Sequence, residues 1–115
     1  MRIATLLALS ILSAGVAASA AGAATLNATG EGRRAFLKLN CYGCHGMNAS
    51  GGMGPNIQHA ESGDLNEAVL QGEDAGMPSF SKYVTATDIT NLKAYLASIG
   101  SAAEPKWVDW WNAYP

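Results

Sequence analysis

The chain has 115 residues, with seven basic and nine acidic side chains and a formal net charge of −2. That length fits one domain, and the mild acidity argues against a nucleic-acid partner, which would want a basic face. Only two cysteines are present, Cys41 and Cys44; a disulfide that local closes a tiny loop and stabilises little, so a domain this small needs another way to complete its core.

The first segment does not read as part of the domain. Met1-Arg2 is a short positive start, and an uncharged run rich in Ala, Leu, Ile and Val follows. Ala18-Ser19-Ala20 and Ala21-Gly22-Ala23 both fit an A-x-A cleavage site. This is the layout of a secretory signal peptide. We assign residues 1–23 to it, with the cut after Ala23 preferred to the one after Ala20. The alternative is an uncleaved anchor, but the run turns Gly-, Ser- and Thr-rich before it reaches the ~20 strongly apolar residues a spanning helix needs. Residues 24–115 then form the mature domain, with six basic and nine acidic side chains.

Residues 24–30 read as a flexible lead-in. A helix is expected over 31–40, with Phe36, Leu37 and Leu39 apolar and Arg33, Arg34 and Lys38 decorating the remaining surface. Glycines at 43, 46, 51, 52 and 54 predict tight turns rather than a regular element. A short helix is expected over 64–71, with Leu65 and Val69 inward. Loop resumes over 72–80. Thr85 then caps the clearest helix, with Asp88 three residues on in a capping-box arrangement. Ile89, Leu92, Leu96 and Ile99 fall at helical spacing, and Gly100 is a natural stop. The tail, about 101–115, carries Trp107, Trp110 and Trp111. Nothing in the mature chain alternates as a strand does, so the fold class is all-α, with a few short helices and long loops. Long structureless loops in a compact domain need a reason, and wrapping a large flat cofactor supplies one.

The motif that identifies this cofactor is Cys41-Tyr42-Gly43-Cys44-His45. C-x-x-C-H is the attachment signature of c-type haem. Two thiols add across the two vinyl groups of the porphyrin, and the histidine directly after the second cysteine reaches the iron. The bound ring then serves as core and staple together. A thioredoxin-like use of the cysteines needs a surrounding βαβ pattern, which is not visible. A zinc site needs about four ligands, and the only other histidine is His59. For the sixth iron position the candidates are Met47, Met53, Met77 and His59. Met47 lies too near His45 to cross the ring, and Met53 belongs to a supporting glycine loop. Met77 is beyond a helix and precedes Pro78, which biases its backbone to an extended form. Met77 is therefore preferred, with His59 or an open iron as the remaining alternatives. His45 also needs an acceptor for its second ring nitrogen, and the carbonyl of Pro55 is the candidate.

Together with Gly51 to Ile57 (GGMGPNI), Gly76-Met77-Pro78 and Leu92 to Leu96 (LKAYL), this motif resembles the class I, mitochondrial-type cytochromes c. The resemblance covers nearly all of the mature chain. It implies a small cytochrome c fold of about four or five short helices around one covalent haem, with crossed terminal helices. In that crossing Gly32 and Phe36 would pack near Leu92 and Tyr95. It also implies thioethers at Cys41 and Cys44, axial ligation by His45 and Met77, and a Pro55 carbonyl bound to His45. The Trp-rich tail is not part of the common pattern. It looks similar to tails on bacterial cytochromes that accept electrons from quinoprotein (PQQ) dehydrogenases, or it packs as extra core.

The expected function is a monomeric, non-enzymatic one-electron carrier of the periplasm, docking donor and acceptor redox proteins transiently at the haem edge. Two other readings use the same residues. One is an open or His-ligated haem that binds small ligands or reacts with peroxide. The other is a membrane-anchored cytochrome subunit of a respiratory complex.

Overall fold

The computed structural model describes residues 26–106; the assigned leader and Trp107, Trp110 and Trp111 lie outside the described residues. Four helices and no strand are present among them: α1 (Ala28–Lys38), α2 (Tyr42–His45), α3 (Ser62–Gln71) and α4 (Ala86–Ser98). The helical content matches the all-α expectation.

Helix α1 starts three residues earlier than the apolar pattern indicates. Asn27 is extended and its side chain accepts from the Gly30 amide at 2.9 Å, which satisfies one of the orphan donors of the first turn. The Thr29 hydroxyl donates to the same Asn27 oxygen at 2.8 Å. At the other end Asn40 adopts a left-handed φ of 59°. The Asn40 amide then donates to the Leu37 carbonyl and the Cys41 amide to the Phe36 carbonyl, at 3.1 and 3.0 Å. This pair of bonds is a Schellman closure. It turns the chain off α1 and delivers Cys41 at the threshold of α2.

Helix α4 begins as its sequence predicts. The Thr85 hydroxyl accepts from the Asp88 amide, and the Asp88 carboxylate accepts from the Thr85 amide at 2.8 Å. The helix ends against Gly100, which has a φ of 82°. Helix α3 starts two residues before the expected position, and its Leu65 and Val69 are buried.

The core lies where α1 crosses α4. Phe36, Leu92, Tyr95 and Leu96 are each almost fully buried there, and the Phe36 and Tyr95 rings meet at 5.5 Å with a 58° tilt, a favoured aromatic geometry. Gly32 makes the crossing possible. A Cβ at that position would fall 1.9 Å from the Asn91 carbonyl oxygen and 2.7 Å from the Tyr95 Cβ. No side chain fits, so the two backbones touch directly. The crossing implied by the resemblance is thus present, with the residues it named.

Arg33 departs from the sequence reading, which put it on the solvated face. It is only 3% exposed, and its Nη1 donates to the Pro105 and Lys106 carbonyls at 2.6 and 2.8 Å. A buried charge is tolerated when it is hydrogen-bonded. Here the guanidinium fastens the segment after α4 against α1. The Thr29 hydroxyl adds a bond to the Ala103 carbonyl, and the Gly100 amide donates to the Glu104 carboxylate at 2.8 Å.

Candidate functional site

The haem motif sits on the single turn of α2, with Cys41 just before it and His45 at its end. The glycine density suggested no regular element here, yet one helical turn forms over Tyr42–His45. The glycine loop that follows folds back onto the turn. The Gly51 amide donates to the His45 carbonyl at 2.8 Å, and the Gly54 amide to the Cys44 carbonyl at 2.9 Å. Farther along, the Ile57 amide reaches the Ala49 carbonyl at 2.9 Å. These bonds consume the exposed end of the turn and bring Pro55 beside the histidine.

His45 is 6% exposed. Its Nδ1 lies 2.8 Å from the Pro55 carbonyl oxygen. A carbonyl only accepts, so Nδ1 carries a proton, and in the neutral ring this leaves the lone pair on Nε2. Among the described residues nothing pairs with Nε2. A buried imidazole with one nitrogen fixed and the other open is the arrangement a metal-ligating histidine needs. Gly54 is what admits this ring: a Cβ there would stand 2.9 Å from His45 Cε1 and 3.0 Å from Nδ1.

Cys41 is partly buried and Cys44 is exposed. Burial pushes the Cys41 thiol up to about 11. A dithiol built for exchange needs the opposite, a thiol lowered toward neutrality. Among the described residues no group of three or more His, Cys, Asp or Glu side chains is placed to hold a metal ion. The zinc and thioredoxin readings therefore lack their chemistry here, while a covalent haem fits the donor set that is present.

Met77 lies in another part of the chain. After α3, the Glu73 amide donates to the Met77 carbonyl at 2.9 Å and the Gly76 amide to the Glu73 carbonyl at 3.0 Å. The resulting tight hairpin is tied back to α3 by Phe80 N–H to the Val69 carbonyl at 2.9 Å and by Ser79 Oγ to the Leu70 carbonyl at 2.6 Å. Met77 is half-buried and packs on the core cluster. The other candidates are placed differently. His59 is exposed at a left-handed φ of 58°, and its amide donates to the Leu96 carbonyl at 3.3 Å. Met47 and Met53 are exposed at 48% and 88%. Met53 was expected to support the site; its backbone neighbours do so, but its side chain stands in water.

A helical domain of this kind, with an attachment motif on a single turn and an oriented histidine behind it, defines a c-type cytochrome. The family model described as cytochrome C oxidase, cbb3-type, subunit III matches residues 27–96, and the chain belongs to this family. Neither a curated protein nor a solved structure gives a match. The chain is accordingly a class I c-type cytochrome domain, with covalently attached haem c and a role in haem-based electron transfer.

Proposed function

We propose that this chain is a periplasmic one-electron carrier in which Cys41 and Cys44 hold the haem by thioethers and His45 and Met77 fill both axial positions. The observation that supports this most strongly is the His45 ring, buried, fixed by Pro55 and open at Nε2. The haem supplies a metal that changes oxidation state by one electron. Everything else is the work of the chain. Pro55 holds the tautomer that ligates and raises the basicity of the ring. The Gly72 to Phe80 hairpin, tied to α3 by the Phe80 amide and the Ser79 hydroxyl, carries Met77, whose sulfur would be the second ligand. A Met/His pair raises the reduction potential relative to other axial sets. With both positions filled, no residue is asked to act as acid, base or nucleophile. We place residues 1–23 as an export leader and 24–115 as the mature monohaem domain. A quinoprotein (PQQ) dehydrogenase is the proposed donor class, on the likeness of the Trp107, Trp110 and Trp111 tail.

The family match favours a second reading, a cytochrome module of a respiratory complex. Among the described residues no helix is long and apolar enough to cross a membrane, so an anchor would have to come from outside them. Mass spectrometry of the protein from an exporting host separates the two: a mature N-terminus at Ala24 (or Ala21) supports the free carrier, and a retained leader supports the tethered module.

The carrier reading is tested by potentiometric titration with carbon monoxide as a probe. A reversible one-electron couple and a ferrous form that resists carbon monoxide support it. Ready carbon monoxide binding overturns it in favour of an open-site haem.

A further inference from the structure

The carbonyl that orients His45 belongs to the peptide between Pro55 and Asn56. Little holds that peptide directly. Pro55 has no N–H to give, and among the described residues no acceptor meets the Asn56 amide. Its orientation is therefore set by what ties the chain on either side. On the near side the Gly54 amide donates to the Cys44 carbonyl at 2.9 Å. On the far side three bonds converge. The Ile57 amide donates to the Ala49 carbonyl at 2.9 Å, the Gln58 amide to Asn56 Oδ1 at 2.9 Å, and Gln58 Nε2 to the Asn48 carbonyl at 2.7 Å. The last bond spans ten residues and closes the loop that contains Pro55.

The two carbonyls that receive this segment flank a strained residue. Ala49 is 0% exposed and has a left-handed φ of 55°. A non-glycine residue persists in that region only where its surroundings over-determine it, and such residues gather at functional sites. In a helical conformation of either hand, the carbonyls before and after a residue point the same way; in an extended chain they alternate. Left-handed Ala49 thus turns two successive carbonyls toward residues 57 and 58, one for the Ile57 amide and one for the Gln58 side chain.

We propose that Gln58 is a positioning residue for the haem ligand: its side-chain amide, seated on the Asn48 carbonyl, fixes the tilt of the Pro55 peptide and so the strength of the bond to His45 Nδ1. The inference rests on the reading of His45 as an iron ligand. Gln58 acts through Pro55 and does not bond His45 itself. The Ile57 bond alone would hold the segment at one point and let it pivot; a second attachment one residue on stops the pivot. A firm carbonyl partner makes the imidazole a stronger donor, and hydrogen bonding outside the ligand shell is one of the levers on a haem potential.

Gln58→Met tests this, because it keeps volume and charge and removes the donor. Two quantities are read on the holoprotein: the reduction potential, and the exchange of the His45 Nδ1 proton in the ferrous state by NMR, as the carbon monoxide complex if the iron is open. At a fixed solution potential the ferric-to-ferrous ratio is expected to fall by about two- to fivefold, or about 20–40 mV. The ring proton is expected to exchange about two- to tenfold faster. Thr85→Ala, which removes the cap of α4 far along the chain, is the control for a general loss of stability and is expected to leave both values at those of the parent. A Gln58→Met protein that keeps either value at the parent's overturns the role of Gln58, and so does a Thr85→Ala protein that shifts both as far. Should Gln58→Met fail to take up haem, Gln58→Asn, with its amide drawn back by one methylene, is expected to move both values the same way by less, and parent values there overturn the inference. Absence of a reversible one-electron couple in the parent would sink the carrier reading, and the ring-proton exchange would still decide the role of Gln58.

Discussion

Replacing Gly32 by alanine adds one methyl group at the point where α1 and α4 touch. The new Cβ would fall 1.9 Å from the Asn91 carbonyl oxygen and 2.5 Å from its carbon. A carbon–oxygen contact needs about 3.3 Å, so the helices must part by roughly 1.4 Å. A gap of 0.5–1 Å already forfeits about a quarter to a half of each dispersion contact, and Phe36, Leu92, Tyr95 and Leu96 all lie along this seam. Overpacking costs about 1–3 kcal/mol, occasionally more. A backbone carbonyl cannot swing aside, which puts this case above that range. Alanine returns up to about 1 kcal/mol of helix propensity. The net expectation is a loss of about 3 kcal/mol, or about 12–24 °C in Tm for a domain of this size. Gly63→Ala is the matched control. It lies in α3 with nothing within 4 Å of its added Cβ, and is expected to stabilise by about 0.5 kcal/mol. Denaturation of both holoproteins followed by circular dichroism decides the matter. A Gly32→Ala protein within about 0.5 kcal/mol of the parent would show that the helices are not packed this closely.

Gly54→Ala crowds the His45 ring and weakens its bond to Pro55; a less basic ligand favours the ferric state less, so the reduction potential is expected to rise, as redox titration will show. Arg33→Met removes the donors to the Pro105 and Lys106 carbonyls and is expected to cost about 2–3 kcal/mol. It should also speed tryptic cleavage after Lys106, read as release of the nine residues that follow. The Asp88 carboxyl is held below the ordinary carboxylate range by the Thr85 amide and then the Thr85 hydroxyl. A lowered folded pKa adds stability above the unfolded pKa and loses it as pH falls through the folded one. Asp88→Ala should therefore cost about 1 kcal/mol at neutral pH, with the gap to the parent narrowing in acid; a constant gap in urea melts across that range would contradict the capping role.

Much of this molecule is legible in its sequence. The Thr85 and Asp88 pair announced the start of α4, because a capping box is a local device written in adjacent residues. The attachment motif and the Pro55 contact were readable because both depend on short spacings within one loop. The start of α1 was hidden because Thr29 and Gly30 are poor helix formers and the cap at Asn27 has no Glu or Gln partner at Gly30 to advertise it. The burial of Arg33 could not be read at all: its partners, Pro105 and Lys106, are more than 70 positions away in the chain. Similarly, Met53 in a glycine loop beside the haem motif suggested support. Only the folding of that loop over Cys44 shows that its side chain points away from the protein.

The proposed axial ligands are His45 from the attachment turn and Met77 from the hairpin after α3. The visible spectrum of the ferric holoprotein, compared with that of Met77→Ala, tests them most directly. A weak long-wavelength sulfur-to-iron band in the parent that disappears in the variant, with carbon monoxide binding gained on reduction, is the predicted result. A parent lacking the band, or a variant that retains it, would contradict the assignment of Met77 and with it the closed, six-coordinate electron carrier.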